Sequence, residues 1–185
     1  MKITKRIFMF ILIGILSIPI FVVAYFYITW KSIIIDENLP KQAIYKTFDH
    51  KKQKTFYVLE EEPKTNNLKI SDAEFPFNEP YICNVYDEKY YLRINFQFGD
   101  GFSGEGYNIY MFENWYKLFD YSYSDIKLNV PEDDSNVLKS ELKLNKSTYK
   151  KGDTIYGYVN FKIQKIRISE NYIEDRNCYF KAVVE

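Results

Sequence analysis

From Ile7 to Trp30 the chain carries no charged side chain, and this apolar run follows directly on Lys2, Lys5 and Arg6. A helix rises about 1.5 Å per residue, so a run of this length crosses the roughly 30 Å of bilayer hydrocarbon with some left for tilt. The pattern predicts a transmembrane helix over 7–30. Because the basic residues precede it, the positive-inside bias keeps residues 1–6 in the cytoplasm and sends everything after Trp30 across the membrane. Tyr25, Tyr27 and Trp30 suit the outer boundary of such a span, where a ring is half buried and its polar tip is wet. Val22-Val23-Ala24 has the small residues of a signal-peptide cleavage site, with processing after Ala24 as the alternative. The apolar run continues past it without a polar break, which favours a retained anchor.

Beyond a polar tether at 31–41 the period changes. Asn38 and Pro40 are placed to open a brief helix with Ile44 and Phe48 on one side. Thr55–Leu59 and Leu68–Ile70 then read as short strands around an acidic, Pro-containing loop at 60–67. Ile82–Tyr86 and Lys89–Phe98 read as a hairpin turning at Asp87-Glu88. In its second arm Tyr90, Leu92, Ile94, Phe96 and Phe98 alternate with Arg93, Asn95 and Gln97. One wet face belongs to an antiparallel sheet. Residues 107–123 fit a helical stripe through Ile109, Phe112, Tyr116, Phe119 and Tyr123, yet the aromatic content and the Glu113-Asn114 break favour two strands. Further strands are expected at 126–130, 141–144, 154–163, 165–168 and 178–184, with an acidic loop at 131–136. The predicted fold is mainly β, an N-terminal transmembrane helix followed by an antiparallel β-sandwich over 42–185.

Composition supports this. Tyr (18) and Phe (15) are abundant and favour strands. All 25 acidic residues follow residue 30, whereas three of the 25 basic ones precede residue 7, leaving the exterior part at a formal −3. Such a surface has no basic excess for phosphates, and the four Arg residues do not cluster, which argues against a nucleic-acid partner. The abundance of Lys, Ile, Asn and Tyr suits an AT-rich bacterial genome, hence a cytoplasmic (inner) membrane. Cys83 and Cys178 are the only thiols, both on the side where oxidation is possible. They are candidates for one disulfide, or for two buried apolar residues within strands.

Leu142-x-Leu144, then Ser147-Thr148-Tyr149-Lys150-Lys151-Gly152-Asp153-Thr154-Ile155 and Gly157-Tyr158-Val159-x-Phe161, resembles the Tyr-x-x-Gly-Asp strand-turn-strand element of Ig-like sandwiches of macroglobulin or arrestin-like type. Gly152 would supply a positive φ at the turn, Asp153 would bond nearby backbone, and Tyr149 and Ile155 would enter the core on either side. The resemblance spans residues 142–161 and implies architecture without an active site.

Candidate chemistry is sparse. Gly99-Asp100-Gly101-Phe102-Ser103-Gly104 has the lettering of a dinucleotide fingerprint, but Tyr107-Asn108-Ile109-Tyr110 is poor helix language, so a hairpin loop over 99–106 is expected instead. Asp100 and Glu105, or Glu132, Asp133 and Asp134, lack the spacing of a calcium loop. His50 is the sole imidazole, which excludes histidine-rich zinc sites and leaves any nucleophile triad dependent on it. Glu105 and Glu113, set among Tyr107, Tyr110, Trp115 and Tyr116, form the one carboxylate pair that invites glycoside chemistry. Trp115 and Tyr116 are the candidate ligand-contact aromatics. No catalytic residue, cofactor or metal is expected. The reading is a single-pass envelope protein whose exterior domain binds another envelope protein or a glycan. The alternatives are an immunity or inhibitor protein against a periplasmic toxin or hydrolase, and a carboxylate-based glycan-active enzyme.

Overall fold

Alternation of apolar and polar residues dominates the architecture after residue 31. The computed structural model describes residues 2–57, 60–66, 68–70, 82–99, 103–125, 134–166 and 171–185, with the side chains of 2–8, 49–57 and 60–66 excepted. The expected strand at 126–130 and the first half of the acidic loop after it lie outside the described residues. The chain divides into two units, Met1–Lys31 and Ser32–Glu185.

The first unit is one helix, α1 (Lys2–Thr29), with Pro19 inside it. Its segment Met9–Thr29 is long and apolar enough to cross a membrane. The helix ends one residue earlier than the sequence predicts. Trp30 lies just outside it, its N–H donating to the Phe26 carbonyl at 2.8 Å and its indole stacked on the Phe26 ring at 4.9 Å.

The second unit contains two five-stranded sheets. Its strands are β1 (Lys31–Ser32), β2 (Ile34–Ile35), β3 (Asp49–Tyr57), β4 (Glu60–Asn66), β5 (Leu68–Ile70), β6 (Ile82–Glu88), β7 (Tyr91–Gly99), β8 (Ser103–Phe112), β9 (Trp115–Ser124), β10 (Asp134–Leu144), β11 (Thr154–Ile166) and β12 (Asn171–Val183). The first sheet runs β1-β9-β8-β7-β6, the second β2-β10-β11-β12-β5, and β3-β4 pair by themselves. The two large sheets enclose one core, to which the first contributes Val85, Ile94, Phe96 and Ile109 and the second Leu142, Val159, Phe161 and Phe180. Phe96 meets Phe180 across it, ring centroids 5.1 Å apart.

Several boundaries differ from the expected ones, each for a local reason. The hairpin turn falls at Lys89-Tyr90, two residues later than predicted, because Glu88 pairs with Tyr91 in register. Residues 60–66 form β4 instead of a loop, paired antiparallel with β3. The stretch 154–166 is one strand where two were expected, since Lys165 turns inward and is buried with the apolar residues before it. Gly99 and residues 103–106, expected in a hairpin loop, belong to β7 and β8, with Gly99 and Gly104 paired in register. The expected polar tether is built into the sheets through β1 and β2. Two 3-10 turns, Leu39–Lys41 and Ala43–Lys46, replace the predicted helix, and Asn38 makes no side-chain cap. Leu39, Tyr45 and Phe48 from that segment pack on Tyr156, Tyr158 and Tyr179, covering part of the second sheet's outer face.

Pairing is not wholly antiparallel. β2 lies parallel to β10, and at the opposite margin Val184 bridges Val85 in parallel. There the Glu185 N–H donates to the Val85 carbonyl (2.9 Å) and the Asp87 N–H to the Glu185 carbonyl (3.1 Å). The chain thus crosses between sheets at both margins, protecting edges that would otherwise invite strand addition.

Candidate functional site

Strand register decides which side chains share a surface. Ile94 and Phe96 of β7 are fully buried in the core, so Arg93, Asn95 and Gln97 lie on the outer face of the first sheet. The pairings extend this face in rows: Glu88, Tyr91, Phe112 and Trp115; Tyr86, Arg93, Tyr110 and Lys117; Asn84, Asn95, Asn108 and Phe119; Ile82, Gln97, Gly106 and Tyr121; Gly99, Gly104 and Tyr123. Tyr91, Phe112 and Phe119 on this face are exposed.

Its far half is preorganised. Two glycines let two tyrosines lie across the strands: a Cβ at Gly104 would come within 2.6 Å of the Tyr123 ring, and one at Gly106 within 2.8 Å of the Tyr121 hydroxyl. The Asn95 amide donates to Tyr121 Oη (2.9 Å) and to Asn108 Oδ1 (3.0 Å), and Gln97 Nε2 donates to Tyr123 Oη (3.4 Å). Burial pushes the Tyr121 phenol above its usual range while the Asn95 bond opposes the shift, so it stays a neutral hydroxyl. Asn95 is only 5 % exposed, which corrects the expectation that the polar side of β7 is simply wet. The near half is aromatic. Tyr91 contacts Tyr110 at 5.5 Å and Tyr110 contacts Phe119 at 5.6 Å, while the Arg93 guanidinium stands over the Tyr86 ring and bonds Glu88 at 2.9 Å.

The residues singled out from the sequence fare unequally. Trp115 lies half-buried on this face. Tyr116 does not: its ring is in the core, its hydroxyl donates to Ser140 Oγ at 3.1 Å, and burial pushes the phenol up to about 12. It cannot meet a ligand at the surface. Glu105 and Glu113 stand at opposite ends of β8, roughly 25 Å apart by the rise of a strand, whereas glycosidase carboxylates sit about 5–10 Å apart. That pair is not a catalytic pair. Cys83 and Cys178 are buried in the core and are not joined by a disulfide, and burial, followed by the neighbouring Cys178, holds the Cys83 thiol well above its usual value. The glycine fingerprint leads into antiparallel β8 instead of a helix, so no helix N-terminus faces a pyrophosphate. Asp100, Glu132, Asp133 and the His50 side chain lie outside what is described.

Two carboxylates outside the expected contact residues are held inside the domain. Asp120 accepts from Lys165 Nζ and Ser135 Oγ, and the side chains of Asp120 and Lys165 are 12 % and 8 % exposed. Glu174 accepts from the Tyr107 hydroxyl at 2.8 Å, with Arg176 4.0 Å away. Each is shielded and partnered, which suits cross-sheet ties better than acid–base work. The outer-face residues Asn95, Gln97, Tyr121 and Tyr123 were also missed. Their signal is the alternation Trp115, Lys117, Phe119, Tyr121, Tyr123 facing one way while Tyr116 and Leu118 face the other, opposite a glycine pair.

No protein-family profile, curated protein or solved structure matches the chain.

Proposed function

We propose that this chain is a single-pass protein of the bacterial cytoplasmic membrane, its N-terminus inside, whose exterior two-sheet domain is a non-catalytic module that binds a glycan of the cell envelope. The outer face of the first sheet is the contact surface. One observation carries the reading: Tyr121 and Tyr123 laid flat across Gly106 and Gly104, with the amides of Asn95, Asn108 and Gln97 beside them. Flat rings offer apolar area to the C–H faces of a sugar, the half-buried amides of Asn108 and Gln97 complement its hydroxyls, and buried Asn95 holds Tyr121 in place. Fixing both in advance lowers the ordering cost of binding. The turn through Gly152 and Asp153 supports an Ig-like reading of the domain at local scale, although consecutive strands β6 to β9 pair as a meander.

The test is retention of the detergent-solubilised full chain on immobilised envelope polysaccharides, peptidoglycan included. Glycan retention is expected, weakened roughly tenfold or more when Tyr121 and Tyr123 are both changed to Ala and unchanged by Glu105→Gln. Absence of retention on every glycan, or a double variant that binds like the parent, overturns the glycan assignment. Photo-crosslinking in cells from position 123 to a single protein would replace the glycan with a protein partner.

A further inference from the structure

The near end of the same face carries a second surface of different chemistry. Tyr90 is 73 % exposed, Phe112 45 %, Phe119 40 % and Tyr91 39 %, and half-buried Trp115 stands directly opposite Phe112. Tyr90, Tyr91, Phe112 and Trp115 lie at the β6–β7 and β8–β9 turns, with Phe119 four residues further along β9, and Glu113 at the second turn takes a positive φ of 51°. Exposed aromatic rings concentrated at one end of a domain mark an interaction surface.

We propose that this aromatic end seats the exterior domain on the lipid headgroup layer of the membrane that holds α1. The inference rests on the anchored, exported reading given above. Chain length selects lipid over other occupants. The Ile33 N–H donates to the Asn114 carbonyl at 2.8 Å, so the β8–β9 turn is tied to the chain only three residues beyond Trp30. Three residues reach at most about 11 Å. Chain connectivity alone therefore keeps the turn, with Phe112 and Trp115 on its shoulders, within that reach of Trp30, which gives it a high effective concentration toward the headgroups.

The residue types agree with that layer. Tyr and Trp favour the interface because each ring can be buried while its polar atom stays wet. Lys89 Nζ lies 5.0 Å from the Tyr90 ring centre and Lys117 Nζ 4.9 Å from that of Phe119, so both side chains lie against the rings. Acidic groups are present at this end too: Asp87 and Glu113 are exposed, and Glu88 is bonded to Arg93. With no basic excess, apolar burial carries the contact, and salt will change it little.

The experiment uses the full chain with Trp30→Phe, which leaves Trp115 as the sole tryptophan, reconstituted in phosphatidylethanolamine–phosphatidylglycerol vesicles bearing a headgroup spin label. Loss of Trp115 emission to the label is expected, equal at low and high salt and reduced by the double change Tyr90→Ser and Phe112→Ser. Flotation of the same samples separates the two readings. Vesicle-bound chain whose Trp115 is not quenched overturns the seat and leaves the anchor standing, as does quenching that the double variant retains. Chain that does not float overturns the anchor and the seat together.

Discussion

Asp153 shows how one carboxylate can fix a connection nine residues long. Its Oδ2 accepts from Lys146 Nζ at 2.7 Å and from the Lys150 N–H at 2.8 Å, while Gly152 beside it takes a φ of +88°. The Gly152 N–H and Val184 N–H then tie the turn to the C-terminal end of β12. Tyr149 closes the other side, its hydroxyl donating to Asn145 Oδ1 at 2.7 Å, and Ile155 is fully buried. The hydrogen bond from Lys146 above all, then that from Lys150, hold the Asp153 carboxyl below the ordinary range. A depressed folded value contributes stability that is complete above the unfolded pKa of about 3.9 and is lost as pH falls through the folded value. Asp153→Asn is accordingly expected to lower the urea midpoint at pH 7, with the difference from the parent shrinking at pH values below that unfolded pKa. A deficit that stays constant into acid would remove the charge from this account.

At the scale of elements, the alternation of β7 was legible because apolar Ile94 and Phe96 face inward between outward Arg93, Asn95 and Gln97, and the two-strand character of 107–123 because its aromatic content and the Glu113-Asn114 break favour strands. What remained hidden needed partners from other strands. Gln164 reads as a break between strands at 154–163 and 165–168, yet β11 continues through it because Asp120 of β9 receives Lys165 inside. Asp87-Glu88 reads as a turn, yet both belong to β6, where Arg93 of the next strand engages Glu88. The outer tyrosine face was hidden for the same reason: Gly106 and Tyr121 are neighbours only once β8 and β9 are in register. The Asp120–Lys165 tie has a measurable consequence. Removing one member of a buried pair leaves the other charge unpaired and costs about 3–5 kcal/mol, whereas an apolar replacement of both is often near neutral. Lys165→Met should destabilise the domain by about 3 kcal/mol, and adding Asp120→Leu should restore much of that loss, read as urea midpoints. Equal midpoints for the single and double variants would show that the pair is not coupled.

For the whole molecule, orientation is the property on which the glycan face and the lipid seat both depend. Lys2, Lys5 and Arg6 are the only charged residues before the apolar run, and Lys31 follows it at once. Three cations before the span against one immediately after it bias insertion toward an internal N-terminus, since positive residues near the ends of a span resist translocation. The bias is small in count, which makes it open to reversal. An alkaline phosphatase fused after Glu185 is expected to be active in the parent, because that enzyme folds only where disulfides form, and a fluorescent protein that matures in the cytosol is expected to stay dark when exported as an unfolded chain. Changing Lys2, Lys5 and Arg6 together to Asn while placing two Lys beside Lys31 should shift a large share of the population to the opposite reporter. A parent chain whose cytosolic reporter is bright would place the tyrosine face and the aromatic end where neither an envelope glycan nor the outer headgroup layer can reach them.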